Sequence, residues 1–315
     1  MNNLTKSIIT KQIHLVQTEI WNKFKTNYGT KIEKFEDIYI LVKKIPFLSL
    51  KMGYSPKVNF NVQKVNFENL KKFAKQNNFA FIRFDVPNVL TLQKESTENL
   101  LQKHCKKAPR NTFTKKNIYL NLNLEEAELM AKMHQKKRYN IKQAKRRGVV
   151  VKIRQTPQAF ENFWQLHVLT ANNQGFLIHP KDYFKLVYKT FEKNVFFVQG
   201  YVKNEIASCW MIIFEGKTIY YIYGGSNPKF NNYYPNDLVG FEAIKLGKKL
   251  GAAVFDMWGA EEGKGFTDFK LKYGAELVEY IDSYDLVINR VGYYWFNFIY
   301  ESFWKLVVFK RKIIG

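Results

Sequence analysis

Residues 255–281 read FDMWGAEEGKGFTDFKLKYGAELVEYI, and we interpret this stretch as the functional part of the chain. Its first residues, Phe255–Gly259, have the aromatic and apolar content of a short strand that ends in Trp-Gly. A loop with two glycines follows and leads to the pair Phe269-Lys270. A lysine in such a place can stabilise negative charge on a tetrahedral intermediate. A surface lysine beside a core phenylalanine is the alternative.

The composition indicates a folded protein with a strong positive charge. Hydrophobic residues make up 46% and aromatic residues 17% of the 315 positions, which allows a substantial core and excludes a disordered chain. Lys and Arg total 50 against 27 acidic residues, a formal net charge of +23. This excess predicts a polyanionic partner, such as phosphate groups, nucleic acid or an anionic membrane, or else reflects a lysine-rich proteome.

Signals for export, disulfides and metal sites are not found. Cys105 and Cys209 lie far apart without metal-ligand spacing. Residues 1–11 lack the apolar run of a secretory signal, and the sequence has no uninterrupted apolar stretch long enough for a spanning helix. We therefore expect a cytoplasmic protein without a bound metal.

Both halves of the chain alternate short apolar strands with amphipathic helices, which predicts an α+β fold. Strands are predicted at residues 38–42, 80–84, 117–124, 196–202, 205–214, 218–223 and 253–258. Helices are predicted at residues 67–76, 124–149, 162–171, 183–191 and 235–250. The shared mixture predicts two similar domains, residues 1–136 and 137–283, followed by a C-terminal segment, residues 284–315.

A strongly basic helix lies near the predicted boundary. Residues 136–149 read KKRYNIKQAKRRGV and contain no acid. Such a run is usually a solvated helix face, but this density of cations makes phosphate contact an equal alternative. The candidates for contact with nucleic acid are Lys137, Arg138, Lys142, Lys145 and Arg146.

An aromatic strand, YYIYGGS at residues 220–226, precedes an Asn-rich loop and then Pro235, which can open a helix. An aromatic strand is most often core, but backbone donors near a helix N-terminus can also meet a ligand. Residues 229–232 read KFNN, whereas acetyltransferases that bind coenzyme A need a Gly-rich turn for its pyrophosphate. This difference disfavours coenzyme A.

In order and spacing, these segments resemble the Fem family of non-ribosomal peptidyltransferases, which use aminoacyl-tRNA to add amino acids to peptidoglycan precursors. The resemblance covers nearly the whole chain. Its segments are RYNI at 138–141, GF, HP and YF between 175 and 184, YGGS at 223–226, DMWG at 256–259, and FK, YG and EYI between 269 and 281. The family implies two N-acetyltransferase-like (GNAT-like) domains with mixed sheets flanked by helices. No heptad-bearing segment indicates the inserted coiled-coil arm of some members.

The resemblance also implies roles for single residues. Lys270, preceded by Phe269, matches the lysine credited with stabilising the transition state, and Asp85 matches an acid of the first domain. Lys25 matches a lysine that contacts a nucleotide diphosphate. His179 stands where a phosphate-binding arginine is found, and a neutral His is a weaker phosphate partner.

Three further positions match the substrate site of the family: Tyr183, Tyr223 and Lys57. Lys57 belongs to YSPK at residues 54–57, which resembles a Tyr-x-Pro-Arg-Gly-Pro motif, although Val58 replaces the glycine.

The implied reaction is an aminoacyl transfer that builds the interpeptide bridge. A stem-peptide amine attacks the ester carbonyl of aminoacyl-tRNA, and positioning with oxyanion stabilisation supplies much of the acceleration. The expected partners of this monomer are aminoacyl-tRNA, as co-substrate and without another cofactor, and a peptidoglycan precursor, either lipid II or UDP-MurNAc-pentapeptide. A substrate carboxylate or Asp85 can take the proton of the amine.

The C-terminal segment is aromatic and aliphatic over residues 291–309 and then basic at 310–312. It predicts a helix that packs on the first domain or lies at the membrane surface. Two other functions stay open for the chain. One is N-acyl transfer from acyl-coenzyme A, or to a protein, by the same fold, and the other is tRNA binding without catalysis.

Overall fold

The computed structural model describes residues 9–300 and 302 and contains two compact units. The first unit comprises residues 10–115 and the described residues from 280 onward, and the second comprises Ile9 and residues 116–279. The helices are α1 Glu19–Asn27, α2 Phe67–Gln76, α3 Glu95–His104, α4 Glu126–Lys132, α5 Gln135–Arg146, α6 Pro157–Gln174, α7 Lys181–Phe191, α8 Pro235–Lys249 and α9 Gly265–Leu271. The strands are β1 Ile32–Phe35, β2 Ile38–Lys44, β3 Lys51–Pro56, β4 Phe79–Asp85, β5 Lys106–Lys107, β6 Lys116–Asn121, β7 Val150–Arg154, β8 Val195–Val202, β9 Glu205–Glu215, β10 Thr218–Ser226, β11 Val254–Gly259, β12 Glu276–Glu279 and β13 Tyr284–Val287.

A six-stranded mixed sheet forms the first unit, in the order β1-β2-β3-β4-β13-β5. Strands β3 and β4 are parallel, and α2 connects them. The side chain of Asn66 accepts hydrogen bonds from two backbone N–H groups of the first turn and so starts α2. Leu70 and Ala74 of this helix face the core. Strand β4 is buried at every position, as expected for a strand covered on both faces.

The second unit repeats this arrangement in a seven-stranded sheet of order β12-β6-β11-β10-β9-β8-β7. Here β10 and β11 are parallel and α8 connects them, with Pro235 in its first turn. Parallel strands need a crossover connection, which a helix usually supplies, and the same strand–helix–strand motif therefore appears in both sheets. The predicted α+β fold with mixed sheets flanked by helices is confirmed.

The units divide at other positions than the predicted domains. The divisions lie at 115/116 and 279/280, instead of the predicted 136/137 and 283/284. Strand β6 pairs with β11 and β12, while Leu129 of α4 and Ile141 of α5 lie in the core of the second unit. The change of composition at residue 136 therefore marks the exposed face of a helix and not a domain boundary.

The segment after residue 283 begins with a strand and not with a helix. Strand β13 lies between β4 and β5 and completes the first sheet. Arg83 of β4 donates two hydrogen bonds, each of 2.8 Å, to the two carboxylate oxygens of Asp285 in β13. Both side chains are buried, so this bidentate pair fixes the register of the two strands.

A C-terminal helix begins at residue 290 and continues through the described residues to 300. The rings of Tyr293 and Phe296 pack against Phe81 of β4, with centroid distances of 5.1 and 5.2 Å. These residues therefore pack on the first sheet, and residues 301 and 303–315 lie outside the described residues. Among the helices that the structure describes, none is long and apolar enough to cross a membrane.

Candidate active site

Strands β10 and β11 form the framework of the candidate site in the second unit. They pair in parallel at residues 218–220 and 254–256, after which β10 runs on to Ser226 and β11 has a bulge before Gly259. Trp258 occupies this bulge with a φ of +66°, a conformation that a bulky residue adopts rarely. The carboxylate of Asp256 accepts a 2.7 Å hydrogen bond from the Trp258 backbone N–H and stabilises the bulge.

Lys270 lies on α9, next to this bulge. Its Nζ donates a 2.8 Å hydrogen bond to the Gly259 carbonyl, and the residue is 8% exposed. Burial lowers the pKa of Lys270 to about 8, and the negative charge of Asp256 opposes part of that shift. The amine is therefore mostly charged at neutral pH, and Gly259 uses only one of its three N–H donors.

Phe269 is held in place by a buried cation from α5. The Lys137 Nζ lies 3.6 Å from the ring centroid of Phe269 and 4.0 Å from that of Tyr273. It also pairs with the carboxylate of Asp237 on α8. Burial lowers the pKa of Lys137 to about 8, against the opposing effect of Asp237. The cation–π contact fixes the ring that precedes Lys270.

A cavity of about 530 Å³ adjoins Lys270. It lies between β10, α9 and residues near the end of α6 and the start of α8. Its lining residues are Thr170, Gln174, Phe176, Tyr221, Gly224–Ser226, Asn236, Lys264–Phe266, Phe269 and Lys270. Aromatic walls with a few polar groups and one buried amine are typical of a small-molecule site. A carbonyl oxygen in this cavity can meet the ammonium group of Lys270.

The two glycines of β10 shape the wall of this cavity by close packing. A Cβ atom at Gly225 would lie 2.4 Å from the backbone of Leu166 in α6, and one at Gly224 would lie 2.4 Å from the Tyr221 hydroxyl. The N–H of Ser226 donates to the Thr170 hydroxyl at 2.9 Å. Gly225 is thus explained by the approach of α6 to the sheet and Gly224 by the position of the Tyr221 ring, and the Ser226 donor is already used.

A second cavity, of about 490 Å³, contains two of the predicted substrate residues, His179 and Tyr223. Tyr183 lies beside it, with its ring stacked 3.9 Å from that of His179. Burial raises the pKa of Tyr223, and a hydrogen bond with Tyr183 opposes the shift. Phe176 lines both cavities, so the two are neighbours.

His167 of α6 also lines the second cavity, although it was not predicted as a site residue from the sequence. Its Nδ1 lies 3.1 Å from the Gly224 carbonyl, and burial lowers the pKa of the ring. A proton on Nδ1 satisfies that contact and leaves the ring neutral. A polar residue within the apolar run FWQLHVL, residues 163–169, was the available signal.

Asp85 of the first unit is a structural residue and not a free base. It is fully buried at the end of β4. Its Oδ1 accepts hydrogen bonds from the Thr112 N–H and the Ser283 hydroxyl, and its Oδ2 accepts from the Phe113 N–H and the Tyr54 hydroxyl. Four donors use the usual capacity of a carboxylate. The predicted role as the base that takes the amine proton does not fit this geometry.

The two predicted substrate lysines of the first unit differ in exposure. Lys57 is fully buried, with its Nζ 3.4 Å from the ring centroid of Tyr280, so the predicted substrate contact does not fit. Lys25 on α1 is half-buried, and burial together with the charge of Lys43 lowers its pKa. Two neighbouring cations attract an anionic ligand. The contact of Lys25 with a diphosphate stays a prediction.

The predicted tRNA-binding residues of α5 also separate into two groups. Lys142, Lys145 and Arg146 are exposed. Lys137 is buried against Phe269, as described above, and is not available to a phosphate group. Arg138 is half-buried and donates to the carbonyls of Ala131 and Met133 at the end of α4. Lys142, Lys145 and Arg146 thus form a cationic face that a phosphate group can reach.

Comparisons with known proteins agree with this architecture. Residues 131–271 match the family model described as an acetyltransferase (GNAT) domain. The chain is 31% identical over 91 residues to a lipid II:glycine glycyltransferase of Staphylococcus epidermidis, which covers 27% of this chain and 22% of that protein. It is 30% identical over 90 residues to the protein of the same name from Staphylococcus aureus, covering 26% and 21%. The match thus spans about a fifth of the length of these curated relatives.

Solved structures show the same fold over nearly the whole chain. A crystal structure of FemX superposes with a TM-score of 0.79 and 18% identity, covering 93% of this chain and 98% of that one. The C-terminal domain of a putative lysylphosphatidylglycerol synthetase from Agrobacterium fabrum gives a TM-score of 0.58 at 10% identity, covering 92% and 93%. The predicted pair of GNAT-like domains and the predicted family resemblance are confirmed.

Proposed function

We propose, on the premise that this chain is a Fem family protein, that it transfers an amino acid from aminoacyl-tRNA to a stem-peptide amine of a peptidoglycan precursor. The observation that carries the proposal is the buried ammonium group of Lys270 beside the cavity of about 530 Å³ in a GNAT-like unit. The names of the curated relatives suggest glycine as the amino acid and lipid II as the acceptor. A lipid-linked acceptor would bring the protein to the inner face of the membrane.

The proposed reaction is attack of the amine on the ester carbonyl. A C–N bond forms, and the carbonyl oxygen of the tetrahedral intermediate becomes an anion that a hydrogen bond from Lys270 stabilises. The C–O bond to the tRNA ribose then breaks, and the proton released by the amine ends on the ribose oxygen. A substrate carboxylate is the proposed carrier of that proton, since both oxygens of Asp85 are already engaged.

Reconstitution tests this proposal. Lipid II and UDP-MurNAc-pentapeptide are each incubated with the protein and a mixture of aminoacyl-tRNAs, and the product mass is measured. We expect the mass of lipid II to increase by one glycine residue, in a reaction that requires charged tRNA. Acetylation by acetyl-coenzyme A without transfer from aminoacyl-tRNA would contradict the proposal.

The loop between β10 and α8 disfavours coenzyme A as the acyl donor. Pro228–Tyr233 forms a 3-10 helix there. The Lys229 N–H donates to the Asn227 side chain, and the N–H groups of Phe230 and Tyr234 donate to carbonyls of the same loop. These three backbone donors are therefore used within the loop and are not available to a pyrophosphate.

The pH dependence of transfer is expected to report the charge of Lys270. Because its pKa is about 8, the ammonium form is present below that pH and is lost as the pH rises through it. We expect kcat to rise with pH as the acceptor amine loses its proton and then to fall above pH 8.

Lys270→Arg provides the control for this descending limb. An arginine stays charged throughout the range, so the variant should keep part of the activity and show no fall above pH 8. An identical descending limb in Lys270→Arg would assign the titration to another group.

The exposed cations of α5 are proposed to bind tRNA phosphates. Substituting Lys142, Lys145 and Arg146 together by alanine should weaken tRNA binding and reduce the slope of log K against log salt by about 2 to 3. The triple alanine variant of Lys72, Lys75 and Lys103, which are also exposed, serves as the control for net charge. Equal losses in the two variants would show that α5 is not a specific contact.

A further inference from the structure

The C-terminal helix has an apolar face toward the first sheet and a second apolar face toward solvent. Val291, Tyr294, Trp295 and Phe298 are 74%, 58%, 38% and 65% exposed. Their spacing of three, four and seven residues places them along one side of the helix. Tyr293 and Phe296, which pack on Phe81, occupy the other side. Packing against the first sheet therefore accounts for the apolar residues on one side of this helix, but not for the four exposed ones.

The turn between β2 and β3 extends this exposed apolar surface. Phe47 lies in the turn with 90% exposure and a φ of +64°. A bulky residue rarely adopts this conformation, and its exposed ring gains no packing in return. The indole N–H of Trp295 donates a 3.0 Å hydrogen bond to the Pro46 carbonyl, which joins the turn to the helix. The rings of Trp295 and Phe298 are stacked at 6.2 Å.

Positive charge surrounds these aromatic residues. The sequence contains no Asp or Glu between Asp37 and Glu68, and none over residues 286–300. Lys43, Lys106 and Arg290 are exposed. Lys43 stands opposite Met52, which packs in the same cluster as Tyr293 and Phe296, and the Lys106 Nζ lies 5.9 Å from the ring of Tyr294. Lys43 and Lys106 therefore lie on the face of the first sheet that carries the C-terminal helix.

We propose that this surface, formed by Phe47, Val291, Tyr294, Trp295 and Phe298 with Lys43, Lys106 and Arg290, binds an anionic lipid bilayer. The apolar side chains enter the boundary between headgroups and acyl chains, where Trp and Tyr are favoured. The lysines and arginine meet the lipid phosphates. A second copy of this chain is disfavoured as the occupant, because it would bring two positive surfaces together. The inference does not depend on the acyl transfer.

Vesicle co-sedimentation of the full chain tests the proposal. Wild-type protein should bind vesicles of phosphatidylglycerol mixed with phosphatidylcholine more tightly than vesicles of phosphatidylcholine alone. In Phe47→Ser/Phe298→Ser, the partition coefficient should fall at least about tenfold, because each ring loses burial in lipid. In Lys106→Gln/Arg290→Gln, binding to the anionic vesicles should fall about fivefold for each charge removed.

Leu177→Ser is the matched control, because Leu177 is 87% exposed but belongs to the second unit. It should bind vesicles like wild type, and thermal melting should show that all variants are folded. Absence of wild-type binding to anionic vesicles, or equal binding by Phe47→Ser/Phe298→Ser, would overturn the proposal. Self-association that the same two substitutions abolish, without vesicle binding, would assign the surface to a second copy.

Discussion

Replacing Lys270 by alanine should lower kcat for aminoacyl transfer by a factor of about 100 to 1,000. The proposed oxyanion develops as the amine attacks and is absent from the bound substrates, so the lost hydrogen bond should reduce kcat and kcat/KM equally while KM changes little. Folding should be preserved, because Lys270 makes one hydrogen bond, to the Gly259 carbonyl, and alanine favours the helix that carries it. Steady-state transfer at pH 7 and circular dichroism provide the two measurements.

Lys249→Ala is the matched control for the Lys270 experiment. Lys249 ends α8, in the same unit, and is exposed to solvent. Its loss changes the net charge by the same amount and should leave kcat unaffected. If Lys270→Ala kept wild-type kcat, or if only KM increased, the role of Lys270 in stabilising the transition state would be wrong.

Replacing Asp85 by alanine should lower the free energy of unfolding of the first unit by about 3 to 5 kcal/mol. The substitution would leave four donors in a buried site without their acceptor: two backbone N–H groups and the hydroxyls of Tyr54 and Ser283. Hydrogen exchange of the amides in β4 and β13 measures this loss directly, since both strands are central to the first sheet.

The same variant separates a structural carboxylate from a general base. At a temperature where Asp85→Ala is folded, we expect its kcat to stay within about threefold of wild type, because general base catalysis would be worth at least about 100-fold. Asp37→Ala is the control, since Asp37 is exposed in the same unit and should affect neither quantity. A large fall in kcat with unchanged hydrogen exchange would restore Asp85 as the base.

Much of the architecture was predictable from local patterns. The apolar run at residues 80–84 and the amphipathic pattern at 67–76 indicated β4 and α2, since the pattern of buried positions distinguishes a strand from a helix. Pro235 indicated the start of α8, because proline is favoured in the first turn of a helix. The Phe-Lys pair at 269–270 stood out because a strand ending in Trp-Gly and a loop with two glycines precede it.

The domain boundary depended on contacts that are distant in sequence. The change in composition at residue 136 is a local signal, whereas β6 joins the second sheet through pairing with β11, more than 130 residues later. The C-terminal strand β13 likewise belongs to the first sheet because Asp285 meets Arg83 there. No local pattern contains such pairings, because they depend on the closure of long loops.

The amino-acid sequence shows which kinds of side chain this protein has and, through local patterns, along which helix or strand many of them lie. Which of its charges are available to a ligand depends on tertiary contacts. Lys137 and Lys142 belong to the same basic helix, yet the first is buried against Phe269 and Asp237 while the second is exposed. Burial removes water from a charge and makes a fixed partner necessary, and that partner comes from an element far away in the chain. The same physical reason makes Asp85 structural and leaves Lys270 as the buried amine beside the cavity.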